Sequence, residues 1–596
     1  MKAINERLAA LREVMRREHL GAFIFPSTDP HSGEYVPDYW KGREWITGFD
    51  GSAGTAVVTM DSAAMWTDSR YFIAAAEQLA GTEFELMKLR MPGTPTIAEW
   101  LAGELRESST TEVALDGMVN TYNEVNSLKT ELRKVGGLTL RTNFDPLKEI
   151  WKDRPELPVD AVKIQPLELA GEETIDKLVR IRRALRTLHA DGTLLSTLDD
   201  IAWTLNLRGT DVRCNPVFVA YLLISDTQTT LYINKVKLTR EVSAYLSAQG
   251  VTVDDYENVT KGLKNYAEYN ILLDPDTTNY TLARQVSCPE VLFETSPVPA
   301  LKAVKNEAEI RGFHSAMLKD GIAMVKFLKW LRPAVEAGGQ TEMSLNERLT
   351  ALRAEQPLFR GVSFDSIVGY EAHGAIVHYE ATPATDAPIK PCGLVLIDSG
   401  AQYEDGTTDI TRTIALGEIT PEQRHVYTLV LKGHIQLSMC KFPEGTTGTQ
   451  LDIMARQAMW REGYNYFHGT GHGVGAYLNV HEGPQQIRME WRSAPFREGM
   501  TITDEPGLYL EGQFGVRIEN TLLTIPYRST EFGVFLQFIP LTLCPIDTAP
   551  IDVTLLTDEE LSWLNAYHDT VCATLAPHLD AAEKVWLEAA TKPIKR

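Results

Sequence analysis

Leu394-Val-Leu-Ile-Asp398-Ser-Gly400, followed by Thr408-Asp409-Ile-Thr-Arg-Thr-Ile414, is the stretch on which the reading of the chain turns. Four apolar residues running into Asp398 predict a central strand whose end presents a carboxylate. Asp409 opens a second strand, in which Ile410, Thr411 and Arg412 alternate. Gly400 and Asp405-Gly406 supply turns between the two. An isolated aspartate in such a place is most often a turn former. Two at the ends of neighbouring strands can converge, and close carboxylates repel unless a cation or a shared proton compensates.

The residues downstream extend the same logic. Met500 to Thr503 leads into Asp504-Glu505-Pro506-Gly507, so Glu505 stands where a strand gives way to a turn. Glu519, in Gly515-Val-Arg517-Ile-Glu519-Asn520, shares a strand face with Arg517 by two-residue periodicity. An acid buried there needs a positive partner. Arg517 is expected to orient a metal-bound carboxylate, and Arg412 to do the same near Asp409. The imidazole candidate is His472, in His468-Gly-Thr-Gly-His472-Gly-Val-Gly475. These glycines fit neither the dinucleotide nor the Walker pattern. They are expected to permit unusual dihedrals and close approach of the backbone. Oxygen donors joined by imidazole favour Mn, Fe, Co or Zn over a thiolate-type site. His378, His468 and His481, read alone, are as readily ordinary hydrogen-bonded histidines.

Around this centre the chain falls into three blocks, 1–155, 156–302 and 303–596, the last with a terminal extension from about residue 540. The first two repeat one plan. Trp45-Ile-Thr-Gly-Phe-Asp-Gly51 and the strand-like runs at 55–59 and 64–66 are answered by Trp203-Thr-Leu-Asn-Leu-Arg-Gly209, 217–224 and 230–233. Strands alternating with helices predict α/β domains. The third block opens on a helix striped by Ile310, Phe313, Met317, Met324 and Leu328, and a second helix starts at Thr420-Pro421-Glu422-Gln423. Short β-rich runs fill the space between, so this block is α+β.

Composition sets the outer limits. Hydrophobic residues make up 44% and charged residues 23% of 596, which is globular and not disordered. The formal charge of −22 is spread along the chain with no long basic run, so nucleic-acid binding is not expected. The six cysteines lie far apart with no C-x-x-C spacing, as free thiols in a reducing compartment would. Charges interrupt the apolar residues of Met1 to Leu8, so an amphipathic helix is expected there and not a signal peptide. No run reaches the roughly eighteen apolar residues of a membrane span. The expected location is cytoplasmic.

Five motifs in order sharpen the reading: Ile397-Asp398-Ser-Gly-Ala-Gln-Tyr403, Gly406-Thr-Thr-Asp409-Ile-Thr-Arg-Thr413, Gly469-Thr-Gly-His472-Gly-Val-Gly475, Asp504-Glu505-Pro-Gly507 and Arg517-Ile-Glu519-Asn520. Phe49-Asp-Gly-Ser-Ala-Gly-Thr55 and Trp66-Thr-Asp-Ser-Arg-Tyr71 precede them. With these the chain resembles, over essentially its whole length, the cytosolic three-domain form of the aminopeptidase P (Xaa-Pro aminopeptidase) family. That family belongs to the pita-bread metallopeptidases, with prolidase, methionine aminopeptidase and creatinase. The resemblance implies two related, creatinase-like N-terminal α/β domains followed by a pita-bread catalytic domain. It implies two divalent metal ions, with Mn2+ expected and Zn2+ or Co2+ as alternatives. Asp398 would bind one, Asp409 and Glu519 would bridge both, and His472 and Glu505 would complete the other.

By the same resemblance Glu505 handles the proton of the attacking water. His481 and His378 contact the substrate and the oxyanion, and His468 lies nearer the proline pocket. The implied substrates are peptides with proline at position two, and the implied assembly is a homodimer. Prolidase, acting on Xaa-Pro dipeptides, is the alternative within the enzyme class. A non-catalytic binding protein is the alternative outside it, and the complete ligand set speaks against that.

Overall fold

A computed structural model describes residues 2–596, and Met1 lies outside the described residues. The chain divides into two compact units. One holds 1–165 and 172–298, the other 166–171 and 299–596.

The first unit contains the repeat anticipated from sequence, and its topology makes the duplication explicit. The first sheet is built from β1 (Ala22–Phe25), β2 (Thr55–Thr59), β3 (Ala63–Thr67), β4 (Phe84–Lys88), β5 (Glu112–Ala114) and β6 (Thr139–Arg141), in the order β4-β3-β2-β1-β5-β6. The second uses β7 (Gly192–Leu195), β8 (Ala220–Ser225), β9 (Thr229–Ile233), β10 (Thr252–Asp254), β11 (Asn270–Leu273) and β12 (Glu290–Phe293), in the order β10-β9-β8-β7-β11-β12. Pairing directions agree strand for strand. The first strand of each copy is antiparallel to its second and parallel to its fifth, and the third and fourth run parallel. Central strands are buried on both faces, which explains their unbroken apolar runs.

The helix ends repeat as well. The helix Lys2–Arg17 stops where His19 takes a left-handed φ of 56°, and Leu20 N–H reaches back to the Met15 carbonyl. The helix Thr174–Thr187 stops with His189 at 57°, and Ala190 N–H reaches the Leu185 carbonyl. Both are Schellman closures, with histidine where glycine is usual. The short helices Gly42–Thr47 and Leu198–Leu205 end on left-handed Gly48 and Asn206 respectively, which are equivalent positions of the two tryptophan motifs.

The second unit is α+β. Its long helix Glu307–Ala337 carries the expected stripe, with Phe313, Met317 and Met324 buried. The helix Pro421–Ser438 begins with the reciprocal Thr420–Gln423 cap that the sequence announces. Three strands, β13 (Ile367–Tyr370), β14 (Leu394–Ser399) and β15 (Ile410–Ala415), form one antiparallel sheet. Around it lie the hairpin of β16 (Gly471–Gly473) with β17 (Glu482–Ile487) and β18 (Thr501–Asp504). The hairpin of β19 (Gly507–Leu510) with β20 (Phe514–Arg517) and the long strand β21 (Asn520–Thr530) follow. The chain ends in the helices Asp558–Leu575 and Ala581–Ala590, separated at Pro577 as its helix-breaking character predicts. Glu519 sits between β20 and β21 rather than within a strand.

Candidate metal centre

The two aspartates that open the argument are brought together by register. β14 and β15 pair so that Asp398 faces Thr411, and Asp409 precedes β15 by one residue. Side chains on one face recur every two residues, so Asp409, Thr411 and Thr413 point to the same side. The Asp398, Asp409 and Glu519 carboxylates offer oxygens within 4.8 Å of one another, and so do the donor atoms of His472, Glu505 and Glu519. His472 Nε2 lies 3.3 Å from Glu505 Oε1 and 3.5 Å from Asp409 Oδ2. All five side chains expected from sequence therefore converge. A third such group joins Asp409, His472 and His481, and the His472 and His481 rings meet edge to face at 4.4 Å.

Glycine allows this convergence through space and not through dihedral angle. None of Gly469, Gly471, Gly473 and Gly475 has a left-handed φ, which corrects the expectation of unusual dihedrals. A Cβ on Gly471 would stand 2.0 Å from the Thr503 carbonyl oxygen, and one on Gly473 would stand 2.6 Å from Gln485 Nε2. The short strand β16 that holds His472 is thus pressed against β18, which leads into Glu505. His472 Nδ1 is turned to the Gly473 carbonyl at 2.9 Å, which leaves Nε2 facing the acids.

The surrounding polar groups supply donors. Arg517, almost wholly buried, reaches Asp398 Oδ2 through Nη2 at 2.7 Å and Nε at 3.1 Å. Thr411 donates its hydroxyl to Glu519 Oε2 at 2.7 Å and accepts from Arg517 Nε at 3.3 Å. Thr503 donates to Glu505 Oε1 at 3.2 Å. Arg412 departs from expectation. Strand alternation sends it to the face opposite Thr411, so it does not meet the Asp409 carboxylate. It instead ties the Glu519 carbonyl at 2.6 Å to Asn520, Cys544 and Tyr567.

The electrostatics are those of a site built for cations. Burial, reinforced by Asp398 and Glu505, pushes the Asp409 carboxyl far above its usual range. Burial and the charge of Asp409 do the same to Glu519. Asp398 is also raised by burial, with Arg517 working in the opposite direction. Glu505 is the exception: burial alone would raise it, but the hydrogen bond and charge of His472 hold it below its ordinary value. Asp398 Oδ1 is buried and has no hydrogen-bond partner. An orphaned carboxylate oxygen among mutually repelling acids and one imidazole fits a pair of hard-to-borderline divalent cations.

The three other histidines differ in placement. His481 stands against His472, as above. His468 directs Nδ1–H to the Gly469 carbonyl at 2.8 Å and receives the Tyr509 hydroxyl on Nε2 at 2.8 Å, while Tyr509 accepts from Arg517 at 2.7 Å. Burial lowers His468 to about 4, so its ring is neutral. His378 is half-buried and follows Val377, whose carbonyl accepts from Arg517 at 3.3 Å.

Comparison with known proteins places these features. Residues 311–525 match the profile of metallopeptidase family M24, and 534–594 match the C-terminal region of that peptidase. Residues 7–147 and 153–309 each match the creatinase/prolidase N-terminal domain. Aminopeptidase P2 of Arabidopsis thaliana is 38% identical over 100% of this chain and 89% of its own. Xaa-Pro aminopeptidase 1 of Dictyostelium discoideum is 36% identical, covering 99% and 97%. The chain belongs to the Xaa-Pro aminopeptidase family of M24 metallopeptidases.

Within that family, the solved X-prolyl aminopeptidase of Caenorhabditis elegans, described as a cytosolic enzyme with a di-nuclear active site, matches with a TM-score of 0.95. Its identity is 34%, over 100% of both chains. The Xaa-Pro dipeptidase of Bacillus anthracis is 25% identical, covers 63% of this chain and 99% of its own, and has a TM-score of 0.51. Three supports of the cluster, Thr411, Tyr509 and Thr503, were not expected from sequence. The alternation of Asp409, Thr411 and Thr413 could have revealed the first. The second reads in sequence as an ordinary strand aromatic.

Proposed function

We propose that this chain hydrolyses the peptide bond between an N-terminal residue and a proline at position two, using two divalent cations held by Asp398, Asp409, His472, Glu505 and Glu519. The observation that carries the reading is the full-length correspondence, 100% of both chains, with an X-prolyl aminopeptidase structure. The dipeptidase covers only part of this chain, so the aminopeptidase reading is favoured over prolidase. Asp398, Asp409 and Glu519 would hold one cation, and His472 and Glu505, with Asp409 and Glu519 shared, would hold the other. Arg517 orients Asp398, while Arg412 fixes Glu519 through its backbone. Mn2+ is the proposed metal, and a cytoplasmic homodimer with blocks 1–155, 156–302 and 303–596 is the proposed form.

When bound, such cations would lower the pKa of a water and polarise the scissile carbonyl. The protein's own groups handle protons and orientation. Glu505 takes the proton of the attacking water and returns it to the departing proline nitrogen. His481 and His378 donate hydrogen bonds to the substrate and to the charge that develops on its carbonyl oxygen. Both nitrogens of His468 are already engaged, so it offers the proline a ring surface.

The test is release of free Arg from Arg-Pro-Pro. Activity should vanish on chelation and return with Mn2+, Co2+ or Zn2+, with two metal ions per chain by elemental analysis. Cleavage restricted to Arg-Pro would select prolidase, and no cleavage under any loading would end the peptidase reading. Light scattering that finds only monomers would remove the dimer.

A further inference from the structure

The helix Gly448–Trp460 holds an ion pair that has no part in the reaction steps above. Arg456 Nε donates to Asp452 Oδ2 at 2.6 Å, and both side chains are buried at less than 5% exposure. A salt bridge so deeply desolvated adds little net stability by itself, so its other contacts bear on its role. Arg456 spends its remaining donors on one short segment. It reaches the Tyr466 carbonyl at 2.5 Å and the His468 carbonyl at 3.0 Å. Asp452 Oδ1 takes the Thr470 hydroxyl at 2.5 Å. The guanidinium also lies over the Tyr466 ring at 3.8 Å, and that ring packs against the His468 imidazole at 4.8 Å. The Thr470 carbonyl in turn accepts from Glu505 N–H at 2.8 Å.

The geometry points to Arg456, braced by Asp452, as the positioning residue that sets the His468 ring at the proline side of the site. A planar guanidinium fork can hold two carbonyls and a carboxylate at fixed angles, which an ammonium cannot. The guanidinium packs on the Tyr466 ring, and that ring leans on the His468 imidazole at an interplanar angle of 37°, so Arg456 positions His468 through Tyr466 as well as through the His468 carbonyl. Tyr509 holds the far side of the same imidazole, leaving the ring no free rotation. This deepens the Xaa-Pro reading and rests on it: His468 must meet the substrate for its placement to matter.

A double-mutant cycle tests the inference on the metal-loaded full chain, with Arg-Pro-Pro as substrate. Arg456→Lys keeps a cation beside Asp452 but loses the fork. It should lower kcat/KM about 10-fold or more, with two metals per chain retained. In a His468→Ala background the same substitution should change kcat/KM less than about 2-fold, since the group it positions is gone. Asp452→Asn, which leaves Arg456 in place but uncompensated, provides a second variant should Arg456→Lys not fold, and the same collapse of its effect is expected. Equal losses in both backgrounds would reduce the pair to a structural role and overturn the inference. A His468→Ala enzyme with unchanged kcat/KM would overturn it too, while Arg release by the parent would leave the peptidase reading standing.

Discussion

At the scale of the residue, the centre is a set of acids whose mutual repulsion is sharpened by burial and offset by one guanidinium. Asp409 and Glu519 are raised far enough to keep protons where free carboxylates have lost them. Cations must displace those protons, so cation affinity should rise with pH and fall as the site is acidified. Titrating chelated protein with Mn2+ in buffers of different ionisation enthalpy should show proton release on binding. Buffer-independent heats would contradict it. The five donor residues were legible in sequence because Asp398 and Glu505 close strand-like runs, Asp409 opens one, Glu519 shares a strand-like face with Arg517, and His472 stands between glycines. Thr411 was not, because a threonine in a strand is common and only the register shows its hydroxyl aimed at Glu519. Arg412 misled because its nearness to Asp409 in sequence is cancelled by the pleat.

At the scale of the element, caps and buried contacts decide. His568, on the helix Asp558–Leu575, accepts the Ile546 N–H on Nε2 at 3.1 Å. Burial lowers it from 6.5 to about 4. Its folded value lies below its unfolded one, so between those limits the unfolded chain binds the extra proton. The stability that neutral His568 confers is therefore complete above about pH 6.5 and is lost as pH falls towards 4. His568→Gln should flatten the acid limb of a denaturation-against-pH curve while lowering stability at neutral pH. The Schellman histidines make a second case: His19→Gly and His189→Gly should each stabilise by about 0.5–1 kcal/mol in urea denaturation, since glycine relieves a left-handed φ. Helix starts such as Thr420-Pro421 were plain in sequence because a cap is a local device. The strand order of the sheets was not, because parallel pairing of β1 with β5 joins residues about ninety apart.

At the scale of the molecule, the chain carries its chemistry in one compact unit and a repeated sheet in the other. Cation binding should stabilise the segments that supply ligands, by mass action on the folded state. Hydrogen exchange is expected to slow at 394–415, 470–473 and 501–519 on adding Mn2+, and to stay unchanged in β1 and β7. Uniform protection, or protection confined to the sheets of the first unit, would place the cations elsewhere. The repeat itself was visible as two tryptophan motifs, but loose patterns could not give its extent. Six strands in the same order and direction do.

That repeat has a further use. The two copies have drifted apart in side chains while keeping the same turns, down to a histidine at each Schellman closure and a left-handed cap at Gly48 and Asn206. The chain is in this sense its own paralogue. A substitution at any position of one copy has a built-in control at the matching position of the other, in the same molecule and the same tube. What both copies require belongs to the architecture; what only one requires belongs to the work that copy does.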